Sequence, residues 1–221
     1  MSTMALDRLR DLFLAADATR PAQQVAERAV PATLGVLVAP GDALVAGAAV
    51  ALAAAAGRRS SCALVCHWTG ADPAESPRSG LATGAARKLV GRLINRGLAA
   101  GACGRLVTVA LPASETESRA ATERALATAG DLPVVLVVAG PRPPALDALL
   151  ATLDRLIVIP PSDAAPGLEP LALTAAAHLG RSANLLHLPT TTTGRLLTAT
   201  GLPLSPAWRT AATAALRGSD D

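Results

Sequence analysis

The chain has 221 residues, a formal net charge of +3 at pH 7 and three cysteines. Hydrophobic residues make up 51% of it and charged residues 17%, which is enough apolar surface for a buried core and excludes an intrinsically disordered protein. Aromatic side chains are nearly absent, which argues against binding through base stacking, and the odd number of cysteines argues against a disulfide framework. The length fits one large domain.

Residues 1–30 predict a helical extension that precedes the main domain. Leu6, Leu9 and Leu12 follow helical spacing. Charged residues interrupt the segment from Asp7 onward, so it lacks the continuous apolar region of a signal peptide. The other apolar stretches are rich in Ala and broken by Gly, Pro or Arg, which does not favour a membrane span. We therefore expect a cytoplasmic protein.

Residues 31–221 predict a single α/β domain. Short apolar runs bounded by Gly or Pro alternate with helical patterns, which is typical of βαβ units. The predicted strands are 34–39, 62–68, 104–111, 132–140, 154–161 and 183–189, and the predicted helices are 42–57, 82–99, 115–129, 143–152, 168–179, 191–199 and 205–217. This alternation indicates a three-layer, mostly parallel, doubly wound sheet with helices on both faces.

Residues 34–59 have the outline of a phosphate-binding unit, with an apolar strand, a Pro-Gly break and a long Ala-rich helix. In such a unit the amides of a Gly-rich turn and of the helix N-terminus bind the anion, a Lys contacts the phosphates, and a Ser or Thr hydroxyl binds magnesium. The stretch GDALVAGAA, residues 41–49, contains no Lys, Ser or Thr. The segment therefore has the frame of a nucleotide site without its chemistry.

This stretch resembles the loop of the MinD and ParA branch of P-loop ATPases, which runs G-K-G-G-x-G-K-T-T after the first strand. When the two are aligned without a gap, the second Lys falls on Gly47 and the two Thr fall on Ala48 and Ala49. The first Lys falls on Asp42, whose carboxylate would repel phosphates. The resemblance thus marks a vestigial phosphate-loop position, formed by Gly41, Asp42, Gly47 and Ala48.

The resemblance continues downstream, where the order of elements agrees over residues 33–217. Leu153 and Asp154 precede the run RLIVIPP, as an Ala-Asp pair precedes a hydrophobic run in the family. The diagnostic polar residues are replaced here too, because Ala139 and Gly140 stand where the family has a magnesium-associated Asp. The resemblance implies a degenerate member of the group that lacks the nucleotide-binding residues and has no cofactor.

Residues 78–113 contain six basic side chains and no acidic one. On the predicted helix 82–99, Lys88, Arg92 and Arg96 recur every four residues and form a stripe. The opposite, buried side is expected to hold Leu89, Val90, Leu93 and Ile94. The pattern predicts a surface for an anionic partner, formed by Arg87, Lys88, Arg92 and Arg96. A solvated outer face, paired with acids of a neighbouring element, is the alternative.

Three further groups of residues fit packing or capping better than chemistry. Cys62, Cys66 and His67 lack the second pair of ligands that a metal site needs. Cys66 and His67 are also neighbours on a predicted strand and so face opposite sides of it. The four threonines 190–193 fit the capping of a helix, and Trp208 fits packing against the sheet. We predict no catalytic residue and no metal site.

The resemblance implies a non-catalytic scaffold or regulatory protein that acts in subcellular positioning or assembly through protein contacts, with a second copy of the chain among the candidate partners. One alternative is an enzyme or small-molecule-binding protein on an unrelated doubly wound fold. Its site would lie at the carboxyl ends of the strands, near Gly41, Trp68 and Gly140. Another alternative is non-specific nucleic-acid binding through the basic helix face.

Overall fold

The computed structural model describes residues 30–38, 43–68, 80–139, 153–159, 184–185 and 206–217. In these ranges the elements are β1 (Thr33–Val38), α1 (Ala43–Gly57), β2 (Ala63–Trp68), α2 (Gly84–Ile94), β3 (Ala99–Cys103), β4 (Leu106–Ala110), α3 (Glu115–Ala129), β5 (Val134–Ala139), β6 (Arg155–Ile159), β7 (Asn184–Leu185) and α4 (Pro206–Arg217). The predicted N-terminal extension and the predicted helices 143–152, 168–179 and 191–199 lie outside the described residues. Among the helices described, none is long and apolar enough to cross a membrane.

The strands form one sheet in the order β3-β4-β2-β5-β1-β6-β7. Neighbouring strands are parallel except for β3 and β4, which form an antiparallel hairpin at one edge. Strand β5 lies between β1 and β2, and all six of its residues are buried, as is usual for a parallel strand in the middle of a sheet. The predicted α/β fold with a mostly parallel sheet is confirmed, and the antiparallel edge strand is a feature that the sequence pattern did not predict.

Helix α2 is shorter than predicted. It begins at Gly84 and ends at Ile94, and the predicted helix 82–99 is wrong beyond that residue. The chain turns at Gly97, whose φ of +75° lies in the left-handed region that favours glycine. Residues 99–103 then form the edge strand β3 instead of the last turn of a helix.

Alternate residues of the strands pack into two clusters, because successive side chains of a strand point to opposite faces of a sheet. The first, here called the α1-side cluster, joins strand residues to helices α1 and α4 and includes Leu34, Val36, Val38, Val65, Val135, Val137, Ala139, Ile157, Ala46, Val50, Ala54 and Leu216. The second, here called the α2-side cluster, joins strand residues to helices α2 and α3 and includes Leu64, Cys66, Trp68, Val107, Val109, Leu136, Val138, Leu89, Leu93, Ala121 and Ala125. Each central strand therefore contributes side chains to both clusters.

Helix α1 lies close to β5 because the helix residue facing that strand has no side chain. A Cβ atom built on Gly47 would lie 2.2 Å from Val137 Cγ2 and 3.3 Å from Val65 Cγ1. Carbon atoms in favourable contact are about 3.5 to 4.0 Å apart, so the first of these distances is a severe overlap. Gly47 therefore sets how closely α1 can approach the centre of the sheet.

Side-chain hydrogen bonds to the backbone hold the amino ends of the strands. The Asp154 carboxylate, directly before β6, accepts hydrogen bonds from the N–H groups of Ala32 and Thr33 at the start of β1, at 3.0 and 2.8 Å. The Arg58 guanidinium, directly after α1, donates to the backbone carbonyl of Val30 at 2.8 Å. The resemblance includes Asp154 only as part of the pattern before the run RLIVIPP. In the structure its carboxylate joins the starts of the neighbouring strands β1 and β6.

Two further arginines make similar contacts. Arg105, directly before β4, donates hydrogen bonds to the backbone carbonyls of Ser60 and Ser61, which lead into β2. Arg155, at the start of β6, donates to the carbonyl of Leu216 near the end of α4. These charged groups are engaged in holding the amino ends of the strands, so the opposite ends are the place to look for a binding site.

We predict that Gly47→Ala lowers the free energy of unfolding by about 1 to 3 kcal/mol, because the added methyl group overpacks the contact with Val137. Gly91→Ala is the matched control, since a Cβ atom at Gly91 on the exposed side of α2 would have nothing within 4 Å. That control should raise the free energy of unfolding by about 0.5 to 1 kcal/mol, because Ala is the better helix former. Urea denaturation followed by circular dichroism measures both changes.

A second substitution tests whether Val137 is the contact that matters. Val137→Ala removes the methyl group that a Cβ atom at Gly47 would strike. The loss caused by Gly47→Ala should therefore be smaller in the Val137→Ala background, with a coupling of about 0.5 kcal/mol or more in the double-mutant cycle. Equal effects of Gly47→Ala in both backgrounds would contradict the close approach of α1 to β5.

Candidate functional site

The carboxyl ends of the parallel strands form the part of the sheet where an α/β fold usually binds its ligand. Here this edge is called the carboxyl rim, and its described strand ends are Val38, Trp68, Ala110, Ala139 and Ile159. The neighbouring strands β1 and β5 lead to β2 and β6, which lie on opposite sides of this pair. Such a reversal of direction opens a crevice between the helices, so the ends of β1 and β5 are the expected centre of a site.

The side chains at this centre are apolar and buried. Val38 at the end of β1 is in register with Ala139 at the end of β5. Both belong to the α1-side cluster, together with Ile159 at the end of β6. Trp68, at the end of β2, is buried on the opposite face in the α2-side cluster. The described strand ends therefore bring no carboxylate and no cation to the crevice.

Helix α1 follows β1 and carries the described part of the vestigial phosphate-loop position. The helix begins at Ala43, which makes Gly47 its fifth residue. The amides that bind anions at a helix N-terminus belong to the first four residues, because later N–H groups are bonded inside the helix. Gly47 is buried against β5, and Ala48 beside it is half-buried. Gly47 therefore serves the packing of α1 against the sheet.

Gly41 and Asp42, the other two residues of the vestigial phosphate-loop position, lie outside the described residues. Their assignment from the resemblance stays a prediction. The same holds for Gly140, which follows the last described residue of β5.

His67 is the titratable side chain closest to the centre of the carboxyl rim in the described strands. It lies on β2 one position before Trp68, in register with Val137 of β5 and Ala110 of β4. Its Nε2 atom is buried and has no hydrogen-bond partner among the described residues. Burial lowers the pKa of His67 from the ordinary value of 6.5, so the imidazole is neutral at pH 7 and offers no positive charge to a phosphate.

Cys66 and His67 do not form a nucleophile and base pair. Cys66 is part of the α2-side cluster, whereas Val65 and the alternate residue His67 face the side of α1. Burial raises the pKa of the Cys66 thiol to about 12, which keeps it protonated and unreactive. In the ranges that the structure describes, no three His, Cys, Asp or Glu side chains come together as a metal site would require.

A separate charged surface lies on helix α2 and in the turn after it. Here it is called the α2 basic surface, and it consists of the exposed cations Arg87, Lys88, Arg92 and Arg96. Arg96 lies beyond the last helical residue, so of the predicted stripe of Lys88, Arg92 and Arg96 only the first two lie on the helix. Leu89 and Leu93 are buried as predicted, and Val90 is half-buried.

Ile94 differs from the expectation that it lies on the buried side of α2. Its side chain is 54% exposed, because Ile94 lies about 140° around the helix from the buried Leu89 and about 100° from the buried Leu93. Gly91 lies on the same exposed side, one turn of helix before Asn95. The α2 basic surface is therefore interrupted by a residue without a side chain and bordered by an exposed aliphatic one.

The cations of this surface have no carboxylate partner among the described residues. The described residues do contain an ion pair on the neighbouring helix α3, where Arg119 and Glu123, one turn apart, approach to 3.1 Å. Residues 80–114, which include α2 and the β3–β4 hairpin, contain no acidic side chain at all. That α2 binds an anionic partner stays a prediction, and its cations are exposed and have no carboxylate partner in the part of the chain that the structure describes.

Comparisons of the chain with protein-family models, with curated proteins and with solved structures found no match.

We predict that the free energy of unfolding decreases as the pH falls below neutrality, because His67 binds a proton more readily in the unfolded chain than in the folded one. The folded-state pKa of His67 lies below its unfolded value of about 6.5, so protonation favours the unfolded chain. Its contribution is present above pH 6.5 and is lost as the pH falls from there toward the lowered folded-state pKa. For one proton the slope is at most about 1.4 kcal/mol per pH unit.

The measurement is urea denaturation of the natural chain and of His67→Gln, at pH 7.5 and at pH 5.0. The natural chain should lose more free energy of unfolding between the two pH values than the variant does, because the variant has no imidazole to protonate. A difference between the two proteins that is the same at both pH values would show that His67 is not held in its neutral form.

Proposed function

We propose that the chain is a non-catalytic scaffold or regulatory protein of the MinD and ParA-like group, which acts in positioning or assembly through protein contacts. In this proposal residues 31–221 form one three-layer, doubly wound domain. Support comes from the order of elements along the chain and from the sheet, where the strand that leads into the loop and the strand that precedes Gly140 are neighbours.

The register of Val38 with Ala139 is the observation that carries the proposal. In the family, an Asp associated with magnesium stands where this chain has Ala139 and Gly140. In this sheet a carboxylate at Ala139 would stand beside the end of β1, where a phosphate loop begins, and so would be well placed for a metal-bound nucleotide. A methyl group there cannot bind a cation, so the frame is retained without the group that the chemistry requires.

The start of α1 supports the same conclusion. In the ungapped alignment, Gly47 stands at the position of the Lys that contacts phosphates. In the structure, Gly47 is buried against Val137. A Lys at this position would direct its side chain into the sheet, so a single substitution could not restore the site. The sequence adds Asp42 to the loop, and its negative charge opposes an anion.

A protein partner follows from the loss of the nucleotide chemistry. Members of the group that bind nucleotide use it to control dimerisation, and a member without it must rely on contacts between protein surfaces. The partner and the cytoplasmic location are part of the proposal, with a second copy of the chain among the candidate partners.

The proposal is tested by calorimetric titration of the purified chain with ATP and magnesium. We predict no saturable binding at millimolar ATP, and a melting temperature that is unchanged by the nucleotide, since a ligand that binds the folded state stabilises it. Saturable binding that includes the region of α1 would contradict the proposal.

A variant separates binding at the loop from binding elsewhere. ATP is an anion and could associate weakly with the α2 basic surface, far along the chain from the loop. Lys88→Ala combined with Arg92→Ala removes two exposed cations of that surface. If this variant gives no heat of ATP binding, ATP binds to the α2 basic surface and the proposal stands. If the heat of binding persists, it indicates a nucleotide site.

A further inference from the structure

The α2 basic surface combines charge, an exposed aliphatic side chain and a gap between side chains. Lys88 and Arg92 lie four residues apart, about 6 Å along the helix, and like charges at this spacing repel each other. No carboxylate among the described residues offsets that repulsion, and the nearest helix, α3, pairs its own Arg119 with Glu123. A partner that supplies negative charge would relieve the repulsion.

The outer side of α2 also permits close approach. Gly91 lies between the arms of Arg87 and Lys88 around the helix, and a Cβ atom there would have nothing within 4 Å. Ile94 follows three residues later and is 54% exposed. A backbone can therefore come near α2 at Gly91 while an apolar side chain of the partner covers Ile94.

These features favour a protein over a lipid or a nucleic acid. The apolar side of α2 is buried through Leu89 and Leu93, so the helix has no free apolar face to insert into a membrane. Contacts to a nucleic-acid backbone use cations and polar groups, and they leave Ile94 without a role. Acidic side chains one turn apart on a helix have the same spacing as Lys88 and Arg92, and the arginines can bind carboxylates through two hydrogen bonds.

We propose that the α2 basic surface binds an acidic amphipathic helix of a partner protein, which lies over Gly91. Carboxylates one turn apart pair with Lys88 and Arg92 on one side of Gly91. On the other side a further carboxylate pairs with Arg87, and an apolar side chain packs on Ile94. This inference rests on the proposed function, since it names the surface and the chemistry of the partner through which a non-catalytic scaffold would act.

The test uses the full chain and a synthetic helical peptide of about 20 residues, long enough to hold helical structure in solution. The peptide carries Glu at every fourth position of one face and Leu beside it. A second peptide has Gln in place of each Glu. Fluorescence anisotropy of the labelled peptides measures binding at low and at physiological salt. The acidic peptide should bind, more weakly as salt rises, and the Gln peptide should bind at least about tenfold more weakly.

Substitutions in the chain locate the binding surface. Lys88→Ala with Arg92→Ala should weaken binding of the acidic peptide by about tenfold, and Ile94→Ala should weaken it by about threefold. The matched control is Arg124→Ala with Arg209→Ala, which removes the same charge from exposed positions of α3 and α4. The control should change binding by less than about twofold. Circular dichroism melts establish that all variants are folded.

Several results would overturn this inference. No binding of the acidic peptide, equal binding of the Gln peptide, or equal weakening by the control variant would each do so. Duplex DNA and phosphatidylglycerol vesicles test the other partners. If either binds in a way that depends on Lys88 and Arg92, is unaffected by Ile94→Ala and competes with the peptide, the surface belongs to a nucleic acid or a membrane. None of these results bears on ATP binding at α1, so the inference and the proposed function can fail separately.

Discussion

The close approach of helix α1 to strand β5 at Gly47 is the contact on which the rest of the structure depends. Because a side chain at this position would overlap Val137, the helix can lie flat on the centre of the sheet only with glycine here. Ala residues continue the same face and bury it in the α1-side cluster.

The same contact bears on the proposed membership of the MinD and ParA group. In an active site of that kind, the residue aligned with Gly47 must reach a phosphate, whereas here it contacts the sheet. The position aligned with the metal-associated Asp is likewise closed, since Ala139 is fully buried beside Val38. Ala139 ends β5, and Gly47 lies on the helix that follows the neighbouring strand β1 and packs against β5.

Charged side chains are distributed unequally between the two ends of the sheet. Arg58, Arg105, Asp154 and Arg155 bind backbone groups at the amino ends of the strands, where they hold turns and helix ends. The described carboxyl ends are apolar apart from the neutral His67. The cations of α2 lie at its outer surface, and the described residues offer them no carboxylate partner.

Much of this fold could be predicted from the sequence, since long apolar runs and helices bounded by Gly or Pro carry a strong local signal. Helix α3 occupies the predicted residues 115–129, and α1 begins one residue after its predicted start. Strand β3 could not be predicted from local preference, because its sequence AAGAC is poor in β-forming residues and is held by pairing with β4. The sequence did contain one indication of this hairpin, the glycine at position 104. Its φ of +59° fits the two-residue turn between β3 and β4.

The candidate site was less predictable than the fold. We expected Ile94 on the buried side because it is apolar and follows Leu93, yet helical geometry puts it about 140° around the helix from Leu89, and its side chain is exposed. The role of Gly47 could not be predicted, because it depends on Val137, a residue far along the chain that the sheet brings beside it. That contact arises from tertiary packing, which a local pattern does not contain.

Hydrogen exchange of peptides spanning residues 34–57, with and without ATP and magnesium, tests the central claim most directly. The proposed function holds that residues 34–57 keep the frame of a nucleotide site while α1 serves only packing. We predict the same deuterium uptake in both conditions, because no ligand orders the loop or the first turn of α1. Slower exchange at the start of α1 in the presence of the nucleotide would contradict the account.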